Sequence, residues 1–184
     1  MLKKITLSIS PGSHIRICGR TGSGKSTLLI SLFRLTEIIS GSLTIDNADV
    51  STLCRSAPRE RLVAIPQTPG LFSGTLRSNL DTLEQYSGAE TEEALRKVEL
   101  GKAVKARDGL SAEADKTPLS HGEHQLFGLA RALLRRKGGG EAGSTEIMEC
   151  KRSGGILVLD EPTVSVDIAT EMHISQLVHE EFQD

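Results

Sequence analysis

Three stretches of the chain hold residue types that can handle phosphate. The first, Gly19-Arg20-Thr21-Gly22-Ser23-Gly24-Lys25-Ser26-Thr27, fits G-x-x-x-x-G-K-[ST]. Glycines let a backbone curl until its N–H groups face phosphate oxygens, and a following helix adds partial positive charge at its start. In such a loop Lys25 reaches the β- and γ-phosphates of a nucleoside triphosphate, and the Ser26 hydroxyl ligates Mg²⁺. The second stretch, Ile156-Leu157-Val158-Leu159-Asp160-Glu161, is an apolar strand ending in two carboxylates. Asp160 suits the Mg²⁺ shell, and Glu161 suits a general base that polarises water. Pro162 holds Glu161 extended and keeps a helix from starting there. A solvated strand end is the bland alternative, and the phosphate loop upstream is what favours chemistry. The third stretch is Leu119-Ser120-His121-Gly122-Glu123. Ser120 and Glu123 fit the S-x-x-E capping box, so the bland reading is a well-made helix start. A capped N-terminus can also receive an anion. His121 and His124 lie three apart without further ligands, which argues against a metal site.

Elements must carry these groups. Ile5, Leu7 and Ile9 alternate with Thr6, Ser8 and Ser10, the pattern of a strand with one buried face. Pro11-Gly12 then predicts a turn and residues 14–18 a second strand leading into the phosphate loop. Lys25–Leu35 reads as a helix, Ser42–Asp46 as a strand, and Arg61–Ile65 as a buried strand. Thr91–Val98 and Glu123–Arg135 read as helices, the latter with Leu126, Leu129, Ala130, Leu133 and Leu134 on one face. Ile156–Leu159 reads as a core strand, and Asp167–Phe182 as a helix with Asp167 as N-cap. The character changes between about 68 and 136, which suggests a helical lobe. Residues 137–155, bounded by glycine runs, read as a flexible surface insertion. His173 and His179 fall in the last helix and read as surface side chains.

Composition narrows the function classes. The 184 residues include 22 Lys and Arg against 24 Asp and Glu, a net charge of −2, so no basic excess exists to hold nucleic acid. Four Phe, one Tyr and no Trp leave little for stacking bases or sugars. Three cysteines without a CxxC argue against a disulfide framework or zinc and fit a reducing compartment. No wholly apolar run is longer than the four residues of Ile156–Leu159, too short to span a bilayer, so the chain reads as soluble.

The phosphate loop, LSHGE and ILVLDE occur in the order found in nucleotide-binding domains of ABC transporters, and LSHGE resembles their LSGGQ signature. Residues 66–81, PQTPGLFSGTLRSNLD, look like the Q-loop region of exporter-type members, and Ser165-Val166-Asp167 looks like the D-loop. Phe-Ser-Gly-Thr-Leu-Arg-x-Asn-Leu-Asp most resembles the second nucleotide-binding domain of the C-subfamily, the multidrug-resistance-associated exporters. The resemblance covers the chain except 137–155. It implies one α/β domain: a P-loop NTPase (RecA-like) core with a mixed β-sheet over 1–67 and 156–184, and a helical signature subdomain over about 68–136. It also implies ATP and Mg²⁺ as ligands, and a head-to-tail dimer with a second nucleotide-binding domain. Further implied partners are the transmembrane domains of one transporter, at the cytosolic face of a membrane, with no nucleic acid. In that arrangement Gly19, Arg20, Thr21, Gly22, Ser23, Gly24, Lys25, Ser26 and Thr27 hold ATP. Ser26, Gln67 and Asp160 hold the metal. Glu161, Lys25 and Gln67 serve catalysis. Ser120 and Gly122 touch the γ-phosphate bound by the partner, and Asp167 crosses the interface.

The sequence departs from that pattern in three ways. Glu123 stands where the family has Gln, a good helix-start residue but a poor neighbour for a γ-phosphate. The family's switch histidine lies beyond a strand that would follow the last helix, and no such strand is in this sequence. No aromatic precedes Phe33 to stack adenine, and Tyr86 lies in the wrong region for it. The sequence therefore looks clipped at both ends. Three functions stay open at this point: the hydrolysing motor of an exporter, a truncated remnant that binds nucleotide weakly, and a soluble ABC ATPase without membrane domains.

Overall fold

The computed structural model describes residues 2–53, 62–67, 69–138, 155–160 and 168–182. Helix α1, Lys25–Leu32, follows the phosphate loop. Strands β1, Thr44–Ile45, and β2, Ala48–Asp49, form an antiparallel hairpin. Asp46 and Asn47 both take positive φ (50° and 64°), the turn geometry whose twist matches paired strands. Strand β3, Leu62–Ile65, pairs in parallel with β4, Ile156–Leu159, from Leu62 opposite Ile156 to Ile65 opposite Leu159. The apolar run in each suits a buried parallel pair.

Among the described residues between β3 and β4 the secondary structure is helical. Helices α2 (Leu76–Leu80), α3 (Gly88–Lys97) and α4 (Gly101–Lys105) lead through two single-turn 3₁₀ segments, Gly109–Ser111 and Ala114–Lys116. Helix α5, His121–Gly138, comes next, and α6, Ile168–Glu181, closes the described chain. Local chemistry explains several starts. Thr75 caps α2 by accepting from the Ser78 amide. Ser87 and Glu90 cap α3 reciprocally, with Ser87 N donating to Glu90 Oε2 at 2.7 Å and Glu90 N to Ser87 Oγ at 3.3 Å.

The core sits under α5. Leu129, Ala130, Leu133 and Leu134 of α5 pack with Leu95 of α3 and Val98 just after it, Leu76 of α2, Ile65 of β3, and Ile174 and Leu177 of α6. Gly128 lets α5 approach the end of β3: a Cβ there would meet Pro69 Cγ at 3.2 Å and Ile65 Cγ2 at 3.4 Å. An ion triad of Lys97, Arg136 and Glu181 ties α6 to α3 and α5.

The N-terminal part differs from the sequence expectation. Residues 5–9 and 14–18 form no strand, and Ile5, Leu7, Ile9, Ile15 and Ile17 are exposed. Their turn is present, with Ser13 N donating to Ser10 O at 3.2 Å. Alternation says which face a strand would bury, but a strand exists only where a neighbour completes its ladder, and a lone hairpin is marginal. Helix α1 ends at Leu32 rather than Leu35 and buries no residue. The strand expected over 42–46 is shorter and belongs to the β1–β2 hairpin. In α6, His179 is exposed and lies against His14 with ring centroids 5.7 Å apart. His173 departs from the surface reading, because its Nε2 is buried without a hydrogen-bond partner. It lies one residue before Ile174 and one turn before Leu177, on the edge of the buried face.

Candidate functional site

Gly24 starts α1. It sits in the left-handed region at φ 95°, and a Cβ there would meet Leu2 Cδ2 at 2.6 Å. The turn before it closes with Ser23 N donating to Arg20 O at 3.0 Å, and the helix opens with Leu28 N donating to Gly24 O at 2.9 Å. Lys25 folds back over the loop, its Nζ donating to Gly19 O at 2.9 Å and lying 3.5 Å from Arg20 O. A concavity of about 220 Å³ lies here, lined by Leu2, Ile5, Ile17, Cys18, Gly19, Ser23, Gly24, Lys25 and Leu28. The donors fit a polyphosphate: a lysine ammonium already held by carbonyl dipoles, the exposed Ser26 and Thr27, and the amides of a helix start. Arg20, Thr21 and Gly22 are exposed on the same loop.

Two more expected residues stand at the ends of the parallel pair. Gln67 is exposed two residues past β3, and its carbonyl accepts from Nε2 of Gln125, a buried residue of α5. Asp160 is half-buried directly after β4, its amide donating to Ile65 O at 3.1 Å, which extends the ladder. The structure thus brings Gln67 and Asp160 to one end of β3 and β4. The phosphate-loop concavity is lined wholly by residues 2–28, and no ladder joins that segment to β4 among the described residues. Glu161 and Asp167 lie outside the described residues.

The LSHGE segment forms the start of α5. Ser120 N donates to Glu123 Oε2 at 2.7 Å and Glu123 N to Ser120 Oγ at 3.2 Å, the expected reciprocal cap. Ser120 is exposed and Gly122 half-buried. Glu123 carries a second partner that the sequence reading missed: Arg107 donates to it through two nitrogens, at 2.8 and 3.2 Å. Burial pushes the Glu123 carboxyl up, but the Arg107 hydrogen bonds, the Ser120 contacts and the guanidinium charge outweigh it and hold it below its ordinary value. No group of three or more metal-ligating side chains occurs among the described residues, His121 and His124 included.

Behind the exposed groups lies a polar lock that the sequence reading also missed. Asn79, buried in α2, donates from Nδ2 to Phe72 O at 2.8 Å and Thr75 O at 3.0 Å. Its Oδ1 accepts from Phe72 N at 2.7 Å and Arg131 Nη2 at 3.3 Å. Arg131 of α5 also donates to Asn79 O at 2.7 Å and Gly70 O at 3.1 Å, and its guanidinium lies 5.1 Å from the Phe127 ring centroid. The segment after Gln67 is therefore fastened to the same helix that begins with Ser120. An Asn-Leu-Asp string after a capped turn was the available signal for Asn79, but its partner stands 52 positions away.

Comparison with known proteins shows the family. The sequence pattern of the ABC transporter family matches residues 2–138. ABC transporter C family member 5 of Dictyostelium discoideum is 40% identical over 188 residues, covering the whole chain and 12% of that protein. C family member 9 of Arabidopsis thaliana is 40% identical over 190 residues, again covering the whole chain and 11% of the relative. C family member 5 of the same plant is 43% identical over 179 residues, covering 94% of the chain and 10% of the relative. The chain thus spans about a tenth of the length of these relatives. A P-loop NTPase fold follows from the family, and its mixed α/β character is visible in the parallel β3–β4 pair and the helices around it. This chain belongs to the ABC transporter family, as an ATP-binding domain of the C-family type.

Proposed function

We propose that the chain is the ATP-hydrolysing motor domain of an exporter, most like the second nucleotide-binding domain of a C-family transporter. ATP-driven closure of a head-to-tail pair of such domains, at the cytosolic face of a membrane, would drive the transmembrane domains. The observation that carries this reading is the phosphate loop itself, with a left-handed Gly24 opening α1 and Lys25 folded over the loop carbonyls. We divide the domain into a core over 1–67 and 156–184, a helical subdomain over about 68–136 and an insertion over 137–155.

The residues take these roles in the proposal. Backbone amides from Gly19 to Thr27 and the Lys25 ammonium bind the phosphates. Ser26, Gln67 and Asp160 are the groups that would hold Mg²⁺, which supplies charge neutralisation at the phosphate oxygens. Glu161 takes the proton of the attacking water. Ser120 and Gly122 meet the ATP held by the partner domain, and Asp167 crosses to it. Gln67 has a physical route to the signature helix, since its carbonyl is held by Gln125 of α5. Nucleotide state sensed at Gln67 can therefore move α5.

The test uses the full-length protein. Glu161→Gln should lower ATP hydrolysis by about 10²–10⁴-fold while ATP binding persists. Equal turnover in the variant and the parent removes Glu161 from the role of base. A parent that binds ATP without turnover favours the non-hydrolysing remnant instead.

A further inference from the structure

We propose that Arg107 is a positioning residue of the signature segment: its guanidinium cancels the Glu123 carboxylate, so that the start of α5 can face a nucleoside triphosphate bound by a partner domain. This rests on the motor reading above.

A carboxylate at the third position of α5 stabilises the helix start but places a negative charge beside Ser120 and Gly122. A phosphate brought to that place would meet like charge, which costs affinity and slows approach. Arg107 removes that obstacle. Its two terminal nitrogens meet the two oxygens of Glu123 at 2.8 and 3.2 Å, the planar fork-to-fork pairing that arginine makes and lysine cannot. The Glu123 side chain keeps only 19% of its exposure and that of Arg107 34%, so solvent screens the pair only in part.

The backbone holds the guanidinium in place. Arg107 stands two residues past the end of α4, its amide donating to Val104 O at 3.0 Å, and Val104 is buried in the core. The arrangement also leaves donors available. The Ser120 hydroxyl accepts from Glu123 N and also bonds the Glu123 carboxylate, so the donors left are backbone ones. The amides of His121 and Gly122 occupy the first turn, where helix geometry provides no intrahelical acceptor. Carboxylate and guanidinium together act as one neutral, hydrogen-bonding unit in the place of a neutral amide.

The experiment is a double-mutant cycle in the full-length protein with Arg107→Ala, Glu123→Gln and the double variant. Arg107→Gln, which keeps much of the side-chain bulk, replaces Arg107→Ala if that variant fails to fold. Two quantities are read: melting temperature without nucleotide, and the MgATP concentration giving half-maximal protection from limited proteolysis. Loss of Arg107 should raise the half-maximal MgATP concentration about tenfold, the order expected for an uncancelled interfacial charge. Adding Glu123→Gln should return it to within about twofold of the parent and recover the melting temperature. A double variant as weak as the Arg107 variant alone overturns the proposal, because Arg107 would then act through packing. A parent that shows no response to MgATP sinks the motor reading. The melting cycle then decides the charge pairing alone, with rescue supporting it and additive loss overturning it.

Discussion

Residues 2–53 and the α2–α6 region with its parallel strand pair solve the same problem with different success. From Leu2 to Leu53, Val50 is the one buried residue among those described, although the segment holds as many Ile and Leu as a core would need. In the second region Leu76, Val98, Phe127, Leu129 and Leu134 are all but inaccessible. The difference lies in the range of the interactions each requires. Helices α3 and α5 are nucleated by caps three residues apart and bury a stripe set by helical spacing. The phosphate-loop half requires strand ladders, and a ladder needs a second segment already in place. The lesson is that the signature side of the domain is built from local instructions and the phosphate-loop side from non-local ones.

Truncating the centre of the packed side gives the strongest test. Phe127 is 1% exposed and its ring is covered by the Arg131 guanidinium. Phe127→Ala should cost about 3–5 kcal/mol, through lost burial and the cavity left behind. Denaturant titration followed by far-ultraviolet circular dichroism measures this. A cost below about 1 kcal/mol would mean that α5 does not hold this core in solution, and the contrast between the halves would vanish.

The Asn79 lock predicts a smaller effect in the same region. Asn79→Ala leaves the Phe72 amide and one Arg131 nitrogen short of an acceptor and frees the segment behind Gln67. Both groups are only partly buried, so the loss should be about 1 kcal/mol, the low end for an unsatisfied group. Amide exchange should rise over 70–80 and stay unchanged in the middle of α5. Faster exchange throughout α5 would show that the lock holds the whole lobe rather than one segment.

How much of this was legible follows from the same distinction. The reciprocal cap of Ser120 and Glu123, the apolar face of α5 and the four-residue strand at 156–159 could all be read, because each is encoded within a few positions. The cap of Ser87 and Glu90 has the same S-x-x-E spacing, and it starts α3 three residues before the expected Thr91. Arg107 could not be read as the partner of Glu123, because 16 residues and two 3₁₀ turns separate them. Its absence from the sequence reading made Glu123 look like a bare charge at the signature. The strands at 5–9 and 14–18 were read where none forms, since alternation records a preference for a face and not the presence of a neighbour. Of the candidate site, the phosphate loop and the Ser120–Glu123 cap were plain as strings. The polar groups that orient them, Arg107, Gln125, Asn79 and Arg131, were hidden by sequence distance.

The smallest effect is the most discriminating for the N-terminal half. Leu7 alternates with polar neighbours, like a core strand residue, yet is 57% exposed. In the 184-residue chain Leu7→Ala should therefore change stability by less than about 0.5 kcal/mol, the range of an ordinary surface substitution. The same substitution in a full-length transporter gives the comparison its sharper form. If Leu7 is buried there by an added strand, truncation costs about 2–5 kcal/mol in the long protein and almost nothing in the short one. Its energetic weight would then come entirely from the partner strand. Equal and small costs in both settings would mean that residues 5–9 never enter a sheet, and that the phosphate loop is presented from an unpaired segment. Equal and large costs would show that the short chain already pairs these residues, which would erase the difference between the two halves.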